Sequence, residues 1–310
     1  MIPSFILAKK EVTYGVDPVA TAANVIWGEN VRHRILGAAV KTEPSKPGLA
    51  PTVDTVPYGQ AVEVTFEVPL SASGTAGTAP KWGPLAQACS FSETLVAVTS
   101  VTYARRVDPA VSDSLAITYR TGRRRHLILG ARGRMGLKLV SGQRPMLTFT
   151  FVGLYSPVAI AAQPVQADAT WTGWATAQPI AQGRTTFAFN AVNTALRELT
   201  QEPSENTLFN DLPHQENVQL LGELAFTGRL KATTPLPSAL NLETLWEAGT
   251  IVTAAVVHES VAGSIVTINM KGQIDQPEYA EEKGEDVFTV PFKLKPSAMA
   301  NDDDISIVLT

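Results

Sequence analysis

A strict alternation over residues 62–70 limits more than any other feature what this chain can fold into. Val62, Val64, Phe66, Val68 and Leu70 fall on one face of an extended segment, and Glu63, Thr65 and Glu67 on the other. Successive strand side chains point to opposite sides, so the segment reads as a half-buried antiparallel strand with one wet face. Small residues follow from Ser71 to Ala79 and read as a loop. Pro80 then suits the start of a short helix, where its missing N–H costs nothing. Trp82, Leu85 and Cys89 come next at helical spacing. The unit is a long strand, a flexible loop and a short helix with a tryptophan anchor.

The remaining chain reads as more of the same. Charged residues make up only 17%, while Thr, Val, Ala, Gly and Pro abound, which favours strands and turns over long helices. Residues 1–30 are extended, with Gly15 and Pro18 preventing a continuous helix; they form an edge strand or an arm docked on a neighbouring subunit. Pro44, Pro47, Pro51 and Pro57 make residues 41–58 a long loop or arm. Strands are expected at 91–103, 114–120, 126–129, 133–140 and 146–155, with 156–180 as a connection. Another is expected at 187–196, and the polar stretch 198–217 reads as a loop.

The order then recurs. A strand at 222–232 and a Pro-rich loop precede a short helix at 241–249, with Asn241 at its N-cap, Trp246 buried and Gly249 as its stop. Strands at 251–258, 264–274 and 286–296 follow. Trp82 and Trp246 hold matching places 164 residues apart. The expected fold is therefore mainly β, a sandwich with short flanking helices and two related copies in one chain. The expected divisions are 1–160, a connection at 161–180, and 181–310. The repeat is one of pattern, not of residue identity.

No catalytic constellation is present in the sequence. His33, His126, His214 and His258 are scattered without metal-ligand spacing, so neither a metal nor a cofactor is expected. The glycines around 122 and 130 precede no helix and form no phosphate cradle. Cys89 reads as a small buried residue, and as the single cysteine it permits no internal disulfide. Glu63 and Glu67 lie on a wet strand face and read as solvated. No apolar run is long enough for a membrane helix, and the N-terminus lacks the charge order of a secretory signal. The expectation is a non-enzymatic, soluble protein made inside the cell.

Charge is unevenly spread. From Ser100 to Arg144 ten basic residues face two acids, a net of +8, whereas from Met270 to Thr310 nine acids face four lysines, a net of −5. These are either two solvated surfaces or complementary patches that meet in head-to-tail self-association. The chain as a whole carries −4, which is no signature of a polyanion grip.

Several stretches resemble the tail tube (major tail) proteins of long-tailed bacteriophages. They are Glu11-Val-Thr-Tyr-Gly-Val-Asp-Pro, the Gly74–Leu85 segment with Ala-Pro-Lys-Trp-Gly-Pro-Leu, Gly130-Ala-Arg-Gly-Arg, the Leu147–Tyr155 strand and Asn301-Asp-Asp-Asp-Ile-Ser-Ile. The resemblance implies a β-sandwich whose sheets join those of neighbours into a barrel, in rings stacked as a tube. DNA would pass through the lumen without specific binding. Two fold copies per chain imply a homotrimeric ring of pseudo-sixfold outline, with a hexamer as the alternative. Other tail proteins (tape measure, tail terminator, distal tail) are the implied partners, and the virion tail, assembled in the host cytoplasm, the implied location. Residues expected at subunit or ring contacts are Glu11, Tyr14, Asp17, Arg123, Arg124, Arg125, Arg132, Arg134, Asp302, Asp303 and Asp304. The alternative function is a carbohydrate-binding β-sandwich module using Trp171 and Trp174 as a stacking platform. A hydrolase with dispersed residues is a third option.

Overall fold

In the computed structural model the described residues are 4–42, 54–106, 108, 112–162, 167, 169–203, 207–221, 226–298, 301 and 303–310. The protein is mainly β. Its first half contains β1 (Ser4–Lys10), β2 (Val25–Ile26), β3 (Glu29–Thr42), β4 (Asp54–Pro69), β5 (Phe91–Val96), β6 (Ser100–Arg105), β7 (Leu115–Thr121), β8 (Arg124–Val140), β9 (Met146–Leu154) and β10 (Ala159–Ile160). Its second half contains β11 (Thr185–Phe189), β12 (Val192–Asn193), β13 (Leu196–Pro203), β14 (Thr207–Leu212), β15 (Gln215–Leu220) and β16 (Phe226–Thr233). It continues with β17 (Val252–His258), β18 (Val266–Ile274), β19 (Glu278–Glu282), β20 (Glu285–Leu294) and β21 (Ile305–Leu309). Two short helices, α1 (Gly83–Gln87) and α2 (Leu242–Glu247), join these strands.

The pairings define two layers. The first is a fully antiparallel eight-stranded run, β3-β4-β9-β8-β13-β16-β20-β19. The second runs β12-β11-β17-β18-β21-β6-β5. They join at a corner, where residues 272–274 of β18 pair with β20. A smaller sheet, β2-β1-β7, branches from the first part of β8.

Alternation builds the core between the layers. Val62, Val64, Phe66 and Val68 point inward from β4 and meet Phe149 and Phe151 of β9. Phe189 of β11 packs on Phe288 and Phe292 of β20, and Phe91 of β5 on Phe226 of β16. Fully burying each such ring contributes about 1.5–3 kcal/mol. One continuous core contains residues of both halves. Trp82 is fully buried, as expected, and its Nε1 donates to the Ser71 carbonyl at 2.8 Å, pinning the small-residue loop to α1.

Several expectations need correction. The segment 187–196 is not one strand: it turns at Asn190 and Ala191, both with positive φ, from β11 into β12, and β13 starts only at Leu196. The strands expected at 126–129 and 133–140 are one strand, β8, with an irregularity between Leu129 and Arg132. Residues 41–42 and 54–58 continue strands instead of forming a loop; 43–53 lie outside the described residues. Pro57 is tolerated because, among the described residues, β4 has only β3 beside it there, and its pairing with β9 begins at Ala61. The segment 91–103 is two strands, divided at Val98, which takes a φ of 59°. The polar stretch 198–217 lies mostly in β13, β14 and β15, with Pro203 ending a strand and Pro213 in the turn before β15. Trp246 is 39% exposed, because α2 turns Leu242 to the core. The Asn241 cap stands: its Oδ1 accepts from the Thr244 N–H at 3.0 Å.

Candidate assembly surface

The first layer ends in two strands that have a partner on one side only. β3 pairs with β4 alone, and β19 with β20 alone, among the described residues. A bare strand edge presents unpaired N–H and C=O groups and is a template for another strand. The side chains beside these edges differ in charge. Arg32 and Arg34 are exposed on β3; Glu278 and Glu281 are exposed on β19.

β3 and β4 also run on beyond the layer. Residues 38–42 and 54–58 pair only with each other among the described residues, as a two-stranded ribbon with Val56 and Tyr58 about half exposed. Such a ribbon is marginal alone in water.

The layer's outward face is polar and of mixed sign. Across it lie Thr65 and Thr150, then Arg134, with Lys138 beside Thr200 and Arg229. Several charges there are neutralised locally: Arg34 reaches Glu63 at 3.0 Å, Arg229 reaches Glu278 at 3.8 Å, and Lys231 bonds Glu282.

The N-terminal motif forms a node inside the chain. Glu11 is buried and accepts three hydrogen bonds, from Gly15 N at 2.9 Å, Ser114 Oγ at 2.7 Å and Gly130 N at 2.8 Å. Gly130 has a φ of 59°, and a Cβ there would lie 2.6 Å from the Tyr14 ring, so only glycine fits. The Tyr14 hydroxyl accepts from the Val218 N–H at 2.7 Å, while Arg132 crosses the Tyr14 ring and donates to the Val218 carbonyl at 3.1 Å. Burial raises the Tyr14 pKa. Asp17 pairs with Arg125 at 2.9 Å. These contacts clamp the β14–β15 hairpin onto the outward face of β4, β9 and β8, where Val218 and Phe209 cover Ala61 and Val152.

The Arg-rich run therefore divides. Arg123 and Arg124 are exposed at the β7–β8 turn, Arg125 and Arg132 are held by the node, and Arg134 faces outward in mid-sheet. Beside the turn, His33 and His126 approach to 4.4 Å between ring centroids. Burial lowers both pKa values, helped at His33 by His126 and at His126 by Arg124. The acidic terminus also works within the chain. Asp304 is buried and pairs with Arg105 at 2.8 Å; burial raises its pKa and Arg105 opposes that rise. Asp303 bonds Lys271 at 2.7 Å and Ser297, which together lower its pKa to about 2. Asp302 lies outside the described residues.

Sequence reasoning missed the β14–β15 hairpin, Ser114 and Arg105 as partners, and both sheet edges. The hairpin had a usable signal, two six-residue runs flanking Pro213-His214. Trp171 and Trp174 both pack edge-on against Trp27, at 6.1 and 6.4 Å, rather than as a flat platform. Burial pushes the Cys89 thiol well above its usual pKa, leaving it a poor nucleophile. No group of three potential metal ligands, and no helix long and apolar enough to cross a membrane, occurs among the described residues. Comparison with protein-family models gives no match, and a search of curated proteins gives none either.

Proposed function

We propose that this chain is a structural, non-enzymatic protein of the tail tube type, which assembles edge to edge into rings that stack as the conduit of a phage tail. One observation carries the reading. The eight-stranded layer consists of two successive four-strand sets, β3-β4-β9-β8 and β13-β16-β20-β19, and it ends in a basic edge and an acidic edge. Each set continues through a short helix, α1 or α2, into a hairpin of the second layer, β5–β6 or β17–β18. The two sets are read as two copies of one fold.

Unlike edges on one chain make a heterologous contact, which closes into a ring or runs on as a filament. Three chains then supply the six copies of a pseudo-sixfold ring. The outward sheet face becomes the wall of the lumen. Its locally paired charges suit passage of DNA without retention, since a grip on phosphate requires unpaired cations. Tape measure, tail terminator and distal tail proteins are the corresponding partners in a virion.

Native mass spectrometry and negative-stain electron microscopy of the purified protein over a concentration series test the reading. Three-chain rings and tubes of stacked rings are expected. Monomers at every concentration would overturn it.

A further inference from the structure

Near the β7–β8 turn a cluster of donors has no acceptor. His126 and Tyr119 are cross-strand partners on β8 and β7, and Arg124 and Thr121 form the pair two positions nearer the turn. Alternate residues of a strand point to one face, and cross-strand partners share it, so these four side chains stand together. His33 reaches the same place from β3. Its ring lies 4.4 Å from that of His126 and 6.4 Å, stacked, from that of Tyr119.

Both imidazoles are half-buried, and neither is hydrogen-bonded among the described residues, whereas His258 bonds Thr185. Arg124 is exposed and has no ion pair there. The charged and titratable neighbours of the two rings are each other, Tyr119 and Arg124, with no carboxylate among them. Burial first, then His126 at His33 and Arg124 at His126, lowers both pKa values. Neutral imidazoles also ligate transition metals, but this basic turn repels a cation and offers no third ligand.

We propose that Arg124, His126, His33 and Thr121 form a site for a small tetrahedral oxyanion, phosphate or sulfate, held by the protonated imidazoles. Guanidinium and imidazolium N–H groups are charge-assisted donors to such an anion, and the Thr121 hydroxyl adds a neutral one. The anion takes the place of the missing carboxylate and offsets the repulsion between two neighbouring cations. It also ties β3 to the β7–β8 turn, which no strand pairing joins among the described residues. Binding takes up protons, so affinity rises as pH falls through the lowered pKa values. The site does not depend on the assembly proposed above.

Hydrogen exchange read by mass spectrometry tests this on the full chain in any assembly state. Sodium sulfate is compared with sodium chloride of equal ionic strength, at about pH 5.5 and about pH 8; sulfate keeps its charge over that range. At the lower pH, exchange in residues 29–36 and 117–127 is expected to slow roughly tenfold once sulfate reaches ten times its dissociation constant. Residues 207–220 should not respond, and at the higher pH the effect should vanish. Arg124→Gln, an exposed change, and His33→Gln are each expected to abolish most of the sulfate-to-chloride ratio, which is taken within each variant so that any loosening of its fold cancels. No slowing, slowing of 207–220 to the same degree, an equal effect at both pH values, or an undiminished ratio in both variants would overturn the site. So would slowing by zinc chloride in place of sulfate. A DNA duplex at equal phosphate concentration should do less, since each backbone phosphate carries a single charge; slowing by DNA alone would overturn the assignment to a small ion.

Discussion

Single residues in this protein matter chiefly as hubs. Glu11 receives three donors in a buried site, so Glu11→Ala leaves Gly15 N, Ser114 Oγ and Gly130 N without their acceptor. The expected loss is about 3 kcal/mol, read as a lower urea midpoint. An unchanged midpoint would mean the node carries no stability. His33, His126 and His258 all have pKa values lowered from 6.5, first by burial. The folded state therefore resists protonation that the unfolded chain accepts. Stability present above pH 6.5 is lost as pH falls below it toward the lowered values. A falling melting temperature between pH 7 and 5 is expected, and His33→Gln with His126→Gln should flatten the slope. An unaltered slope would remove the histidines as its cause.

At the scale of elements, the hairpin β14–β15 is anchored in part by one hydroxyl. Tyr14→Phe removes the acceptor for Val218 N–H, a bond worth about 0.5–1.5 kcal/mol. Amide exchange of residues 207–220 should speed up roughly tenfold while the core is unaffected. Equal exchange in both proteins would show that the Arg132 bond and apolar packing hold the hairpin without the hydroxyl. Which elements were legible in the sequence follows from how they are buried. β4 and β20, wetted on one face and buried on the other, declare themselves by alternation. β14 and β15 bury only Val218 and Leu220, with Phe209 partly covered, so their polar sequence reads as a loop. Pro57 hides a strand because tolerance of proline depends on whether a second neighbour is present, which is tertiary information. Trp246 misleads because a large apolar residue on a short helix can face either way. For the candidate surface, the motif residues Glu11, Tyr14 and Asp17 were visible as a group. Their partners Val218, Ser114 and Arg125 lie too far along the chain for any spacing argument.

At the scale of the whole molecule, the proposed ring makes the opposed edges the place where chains meet. Arg32→Glu should slow ring formation and raise the concentration at which rings appear, because like charges would then face each other across the joint. Adding Glu278→Arg to the same chain should restore assembly, since the reversed charges attract again. Each exposed pair contributes only about 0.2–1 kcal/mol, so the effect belongs mainly to the association rate and should shrink in high salt. Stopped-flow light scattering at two ionic strengths reads it. Indifference of both variants would leave backbone pairing as the whole of the joint.

The placement of β21 between β6 and β18 also has a consequence in time. β6 is finished at Arg105, yet the strand that closes its open side begins at Ile305. A ribosome adding roughly 5–20 residues per second needs about 10–40 s to cover that interval. Throughout it, Val101 and Tyr103 wait without the strand that will lie beside them. The second layer therefore closes late in synthesis, and a nascent chain spends most of its time on the ribosome as a half-built sandwich in need of protection from its neighbours on the same message.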